Sequence, residues 1–82
     1  MQKITSELEA VEQATKMARW DGEVFHFEGW SGDMAEISKC FSDHALVFAW
    51  RLDIPLELHG AWISAYCAEA TRTVEKFRSK AA

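Results

Sequence analysis

Apolar residues recur along this chain at helical intervals in three stretches, with two breaks between them. In the first, about residues 5–20, Ile4, Leu8, Val11, Thr15 and Ala18 fall on one stripe, with Ala14 and Met17 beside it. Ser6 and Glu9 stand at capping-box spacing, in which hydroxyl and carboxylate satisfy free backbone N–H groups. Glu7, Glu9 and Glu12 lead, while Lys16 and Arg19 follow. That order suits the helix dipole, and Glu12 with Lys16 makes a favourable i,i+4 pair.

Asp21-Gly22 is a turn-forming dipeptide and predicts the end of the first helix. The residues after it, Glu23-Val24-Phe25-His26-Phe27-Glu28, are β-branched and aromatic, which predicts a short extended segment. Gly29-Trp30-Ser31-Gly32 reads as a loop. Asp33 and Glu36 form a second capping signal, so a helix is expected from about Asp33, with Met34, Ile37 and Phe41 on its apolar face. Ser42-Asp43 predicts a kink or a fresh start, after which Ala45, Phe48, Ala49 and Leu52 face inward. Pro55 pushes Ile54 out of the helical region, so this helix should end by Asp53. The last helix is expected over about residues 55–79, where Leu58, Trp62, Ile63, Tyr66, Ala70, Val74 and Phe77 recur three and four apart. Gly60 inside it costs about 1 kcal/mol relative to Ala and marks a place for close backbone approach. The pattern predicts a mainly α fold: a small bundle of three to four helices, one domain over residues 1–82, with one short extended aromatic segment near residues 23–28.

Composition sharpens this in three respects. Four tryptophans in 82 residues exceed ordinary usage several-fold. A chain this small has much surface for its volume, so some of that indole area is expected to stay accessible. The longest uninterrupted apolar run, Ala45 to Trp50, is far too short to span a bilayer, and the N-terminus lacks an apolar signal core. A cytoplasmic protein with no membrane association is expected, with Cys40 and Cys67 as buried thiols rather than a disulfide. Net charge is −4, and it is uneven: residues 21–57 hold eight acids against Lys39 and Arg51, whereas residues 58–82 carry an excess of two cations.

Candidate chemistry is sparse. Cys40 and His44, four apart, with His59 and Cys67 elsewhere, lack the paired tight spacing of a structural zinc site. No metal and no cofactor are expected. A Cys–His nucleophilic pair has no supporting local sequence, and no catalytic residues are assigned. The stretch from Phe48 to Ala61 has the rough spacing of a helix-turn-helix. Its would-be reading helix, Pro55-Leu56-Glu57-Leu58-His59-Gly60-Ala61, nevertheless carries no Arg or Lys to neutralise phosphates. The terminal cations Arg72, Lys76, Arg78 and Lys80 are explained by the helix dipole.

What remains is the aromatic island from Trp20 to Trp30. Trp20, Phe25, Phe27 and Trp30 supply an apolar centre, and Asp21, Glu23, Glu28 and Asp33 an acidic rim, the usual anatomy of a protein interface. The expected function is therefore a small non-enzymatic regulator or inhibitor, acting stoichiometrically on a larger protein. Its expected partner presents a basic site, such as one on a nucleic-acid-handling protein, and direct nucleic-acid binding is not expected. A homodimer is expected through the unpaired extended segment. The alternative is a helix-turn-helix-like DNA-binding regulator, which would show steeply salt-dependent duplex binding. Two tryptophans separate core from surface. Trp30→Ala should melt like the parent protein but weaken partner capture by about 2 kcal/mol or more. Trp62→Ala should cost roughly 3–5 kcal/mol of stability. Thermal melts and pull-downs on the two variants check this.

Overall fold

The computed structural model describes residues 3–27 and 32–81, and among these there are three α-helices and no strand. They are α1 (Glu7–Phe27), α2 (Met34–Arg51) and α3 (His59–Ala81), the last preceded by a single 3₁₀ turn at Leu56–Leu58. The predicted helical bundle is what forms. Its helices run up, down and up: Arg19 and Gly22 of α1 meet Glu69 and Thr73 of α3, while Met34, Ala45 and Ser42 of α2 meet Arg78, Trp62 and Cys67. Thus α1 and α3 lie parallel, with α2 antiparallel to both. The bundle measures 41 × 18 × 17 Å, the length expected for helices of this size lying side by side.

The first two helices start where a side chain can cap them. The Ser6 hydroxyl accepts the Glu9 N–H at 3.2 Å, and the Asp33 carboxylate accepts the Glu36 N–H at 2.9 Å. The Ser6 and Thr5 hydroxyls bond the Glu9 carboxylate and hold it below its usual range. The end of α2 is a Schellman motif: Ile54 N–H returns to the Ala49 carbonyl at 3.0 Å and Asp53 N–H to that of Trp50 at 3.2 Å. Asp53 takes the left-handed conformation this motif requires, with φ 55°. Buried Ile54 then packs beside buried Ala49, and Pro55 starts the next element. His59 closes this corner, its Nε2–H donating to the Ile54 carbonyl at 2.8 Å under an edge-on contact with Trp50.

The core follows four-residue rows. On α1 the buried row is Ala10, Ala14, Ala18 and Gly22; on α2 it is Ile37, Phe41, Ala45 and Ala49; on α3 it is Trp62, Tyr66, Ala70 and Val74. Rows of i±4 side chains are the ridges that helices set into one another's grooves. Those of α1 are almost without side chain, so α1 approaches α3 closely. A Cβ built on Gly22 would stand 2.9 Å from Thr73 Cβ and 3.0 Å from the Ala70 carbonyl oxygen. The rows of α2 and α3 carry the bulk, including Phe41, Trp62 and Tyr66, all fully buried. Trp62 also donates its indole N–H to the Ala45 carbonyl at 2.9 Å.

Five sequence expectations are corrected. Residues 23–27 are the last turns of α1, not an extended segment. The Asp21 carboxylate is engaged by His44 and Tyr66, so it does not compete for the α1 backbone, and Gly22 serves the helix contact rather than a turn. The α2 helix passes through Ser42-Asp43 unbroken, with the Ser42 hydroxyl turned toward the Cys67 thiol of α3. Leu8 is exposed because the buried row of α1 runs through Ala10 and Ala14 instead. The Gly60 Cβ position faces open space, so no backbone approaches it. Cys40 and Cys67 are free thiols, as expected, but only half-buried.

The two glycines should therefore respond oppositely to alanine. Gly22→Ala is expected to lose about 1–3 kcal/mol by overpacking the α1–α3 contact, more than its helix-propensity gain returns. Gly60→Ala is expected to gain about 0.5–1 kcal/mol. Urea unfolding of both variants checks the pair; equal effects would contradict the contact at Gly22.

Candidate interaction surface

The two flanks of α1 meet different surroundings. Toward α2, Met17, Asp21 and Phe25 lie four apart on one line: Phe25 packs on Phe41, Asp21 bonds His44, and Met17 lines a groove with Phe48. At the lower end Phe25 and Phe41 pack with ring centroids 5.0 Å apart. In the middle, Asp21 Oδ2 accepts the Tyr66 hydroxyl at 2.6 Å and His44 Nδ1–H at 2.8 Å. The other His44 nitrogen, Nε2, lies 3.7 Å from Cys40 Sγ. At the upper end the helices stay apart. A groove opens there, lined by Lys16, Met17, Trp20, Phe48 and Tyr66. Trp20 stands over it with 65% of its surface exposed. A smaller depression beside it shares Phe48 and is lined by Asp21, His44, Val47 and Arg51.

Cys40, His44 and Asp21 thus stand in the order of a nucleophilic triad, but the electrostatics oppose that use. Burial pushes the Cys40 thiol above its ordinary value, and the negative charges of Asp21 and Asp43 push it further. An attacking cysteine needs the reverse, a stabilised thiolate. Burial likewise raises the Cys67 thiol, although the Ser42 hydroxyl bonded to it acts the other way. The array is a hydrogen-bonded clamp joining one residue of α1, two of α2 and one of α3. Among the described residues, no three His, Cys, Asp or Glu side chains are grouped to hold a metal.

On its other flank α1 borders a polar groove lined by Arg19, Glu23, Glu69, Arg72, Thr73, Lys76, Phe77 and Lys80. Glu69 receives Arg72 at 2.8 Å and Arg19 at 3.4 Å. Burial alone would raise the Glu69 carboxyl, but Arg72 and Arg19 together outweigh it and hold the group below its usual range.

The expected docking patch is therefore not one surface. Trp20 is exposed as expected. Asp21 is turned inward to Tyr66 and His44, and Glu23 borders the cationic groove on the opposite flank. Phe25 is 5% exposed and belongs to the core, because the helix carries it onto Phe41. Asp33 caps α2. The Phe27 side chain, Glu28 and Trp30 lie outside the described residues. The sequence reading missed Phe48, Tyr66 and Lys16 as neighbours of Trp20. The signal for them was the spacing of Met17, Asp21 and Phe25, visible once the helix is read through Gly22.

The α2–α3 unit is an antiparallel hairpin packed from Met34–Arg78 to Ala45–Trp62, not the steep crossing of a helix-turn-helix. His59, in the would-be reading helix, is buried on the Ile54 carbonyl. No helix among the described residues is long and apolar enough to cross a membrane. No family model matches this chain, and neither a curated protein nor a solved structure matches it.

Tyr66 is the single tyrosine, so its titration is directly readable. Burial raises its hydroxyl well above the ordinary value, and the hydrogen bond to the Asp21 carboxylate raises it further. A folded-state value above the unfolded value of about 10 contributes stability that is complete below that pH and is lost as pH rises beyond it. Absorbance at 295 nm should show no phenolate until the helical signal falls. Ionisation near pH 10 with helicity intact would contradict the Asp21–Tyr66 bond.

Proposed function

We propose that this protein is a non-enzymatic binding domain that regulates a larger protein stoichiometrically, docking through the groove beside Trp20. The observation that carries this reading is an indole left two-thirds exposed over an apolar cleft formed by Met17, Phe48 and Tyr66. Tryptophan is enriched among residues that dominate binding energy, above all where it meets an apolar pocket. The cleft is held open by rigid elements: the close α1–α3 seam fixes one wall and the Asp21 clamp sets the distance to the other. A preformed cleft spares the ordering cost of binding.

The partner chemistry differs from the sequence expectation. None of the acids Asp21, Glu23 and Asp33 lines this cleft, although Asp21 lines the depression beside it, and the charged lining residue is Lys16. Lys16 has no ion-pair partner among the described residues. The matching ligand is the apolar face of a partner helix, with a carboxylate placed to meet Lys16.

The test is quantitative capture with the parent protein, Trp20→Ala and Trp50→Ala, followed by affinity measurement on the proteins retained. Trp20→Ala should melt within a few degrees of the parent, since exposed positions change stability by about 0.5 kcal/mol or less. It should lose about 2 kcal/mol or more of binding. Trp50→Ala, which does not touch the groove lining, should bind its partner normally. Equal retention by the parent and Trp20→Ala would overturn the assignment.

A further inference from the structure

We infer that the outward face of α2 is a self-association surface, on which a second copy of this chain docks antiparallel about a two-fold axis beside Val47. Three of the large hydrophobics left exposed lie within five consecutive positions of this helix: Leu46 at 43%, Val47 at 47% and Trp50 at 66%. They occupy the side of α2 away from the buried row of Ile37, Phe41, Ala45 and Ala49. An exposed apolar strip of this kind on one helix commonly marks a protein contact.

The charges flanking the strip identify the occupant. Asp43 lies four residues before Val47 and Arg51 four residues after it, both exposed. Neither has an ion-pair partner among the described residues. A two-fold axis beside Val47 sets residue 47−n of one copy level with residue 47+n of the other. Asp43 of each copy then stands level with Arg51 of its mate, about 6 Å along the helix from the axis on either side. One helix thereby supplies both halves of two identical ion pairs, with Leu46, Val47 and Trp50 packed between them. That self-complementarity is what an isologous interface requires. An unrelated partner would need the same charges in the reverse order. The surface adjoins the Trp20 groove at Phe48 but shares none of its exposed apolar residues and does not rest on the function proposed for it.

The experiment is sedimentation equilibrium on the full chain up to about 300 µM, a range suited to small interfaces. The samples are the parent protein, Asp43→Arg, Arg51→Asp, the double swap and Trp20→Ala, with circular dichroism confirming that each is folded. The parent should dimerise reversibly. Each single swap places like charges opposite one another twice and should weaken dimerisation about tenfold or more, while the double swap should recover it to within about threefold. Trp20→Ala should dimerise like the parent. A monomeric parent, single swaps that dimerise normally, a double swap as weak as the singles, or loss of the dimer in Trp20→Ala would each overturn the proposal.

Discussion

The backbone of α1 rests almost directly on α3 at Gly22, and the arrangement of everything else follows from that approach. Ala10, Ala14, Ala18 and Gly22 give α1 a buried row with hardly any volume. A row of that kind buries little apolar area per residue, so it stabilises mainly by letting two long helices pack along their length. Such a seam tolerates no added methyl group where the Thr73 side chain and the Ala70 carbonyl already fill the space. The bulk missing from α1 is supplied by Phe41 on α2 and by Trp62 and Tyr66 on α3, which together fill the middle of the bundle.

The consequence is asymmetry. One pair of helices is tight, while the other flank of α1 reaches α2 through long side chains. Where those side chains are Phe25 and Phe41 the gap is closed, and where they are Asp21, His44 and Tyr66 it is bridged by hydrogen bonds. Above that level the bridge ends, and Met17, Trp20 and Phe48 line an open cleft. The polar clamp is buried enough to be expensive if broken, because a phenol and a carboxylate would each lose a partner. It therefore fixes the spacing of the cleft walls, which is the structural basis of the binding role proposed for Trp20.

The parts of this structure that were legible in the sequence are those set by local chemistry. Ser6 and Asp33 cap the helices they were read to cap, Pro55 follows the end of α2, and Trp62 lies in the core on a stripe with Tyr66. The misreading at Asp21-Gly22 has one cause, the override of a local preference by partners far along the chain. Asp21-Gly22 has the composition of a turn, but Asp21 meets residues 23 and 45 positions away, and Gly22 is needed by α3. Once the helix continues, Phe25 moves from an expected surface into the core, and the acidic rim drawn around it disperses. Trp20, placed in the expected patch, is exposed, and so is Trp50, in keeping with the accessible indole area that the composition suggested.

The most direct test of this account is a nuclear Overhauser spectrum of the labelled protein, read at Gly22. The Gly22 α protons should show strong cross-peaks to the Thr73 γ-methyl group and to Ala70. The Phe25 and Phe41 rings should show cross-peaks to each other, which places both flanks of α1 at once. Absence of the Gly22–Thr73 cross-peaks, with chemical shifts of a turn at residues 21–22, would contradict the close seam and the architecture derived from it.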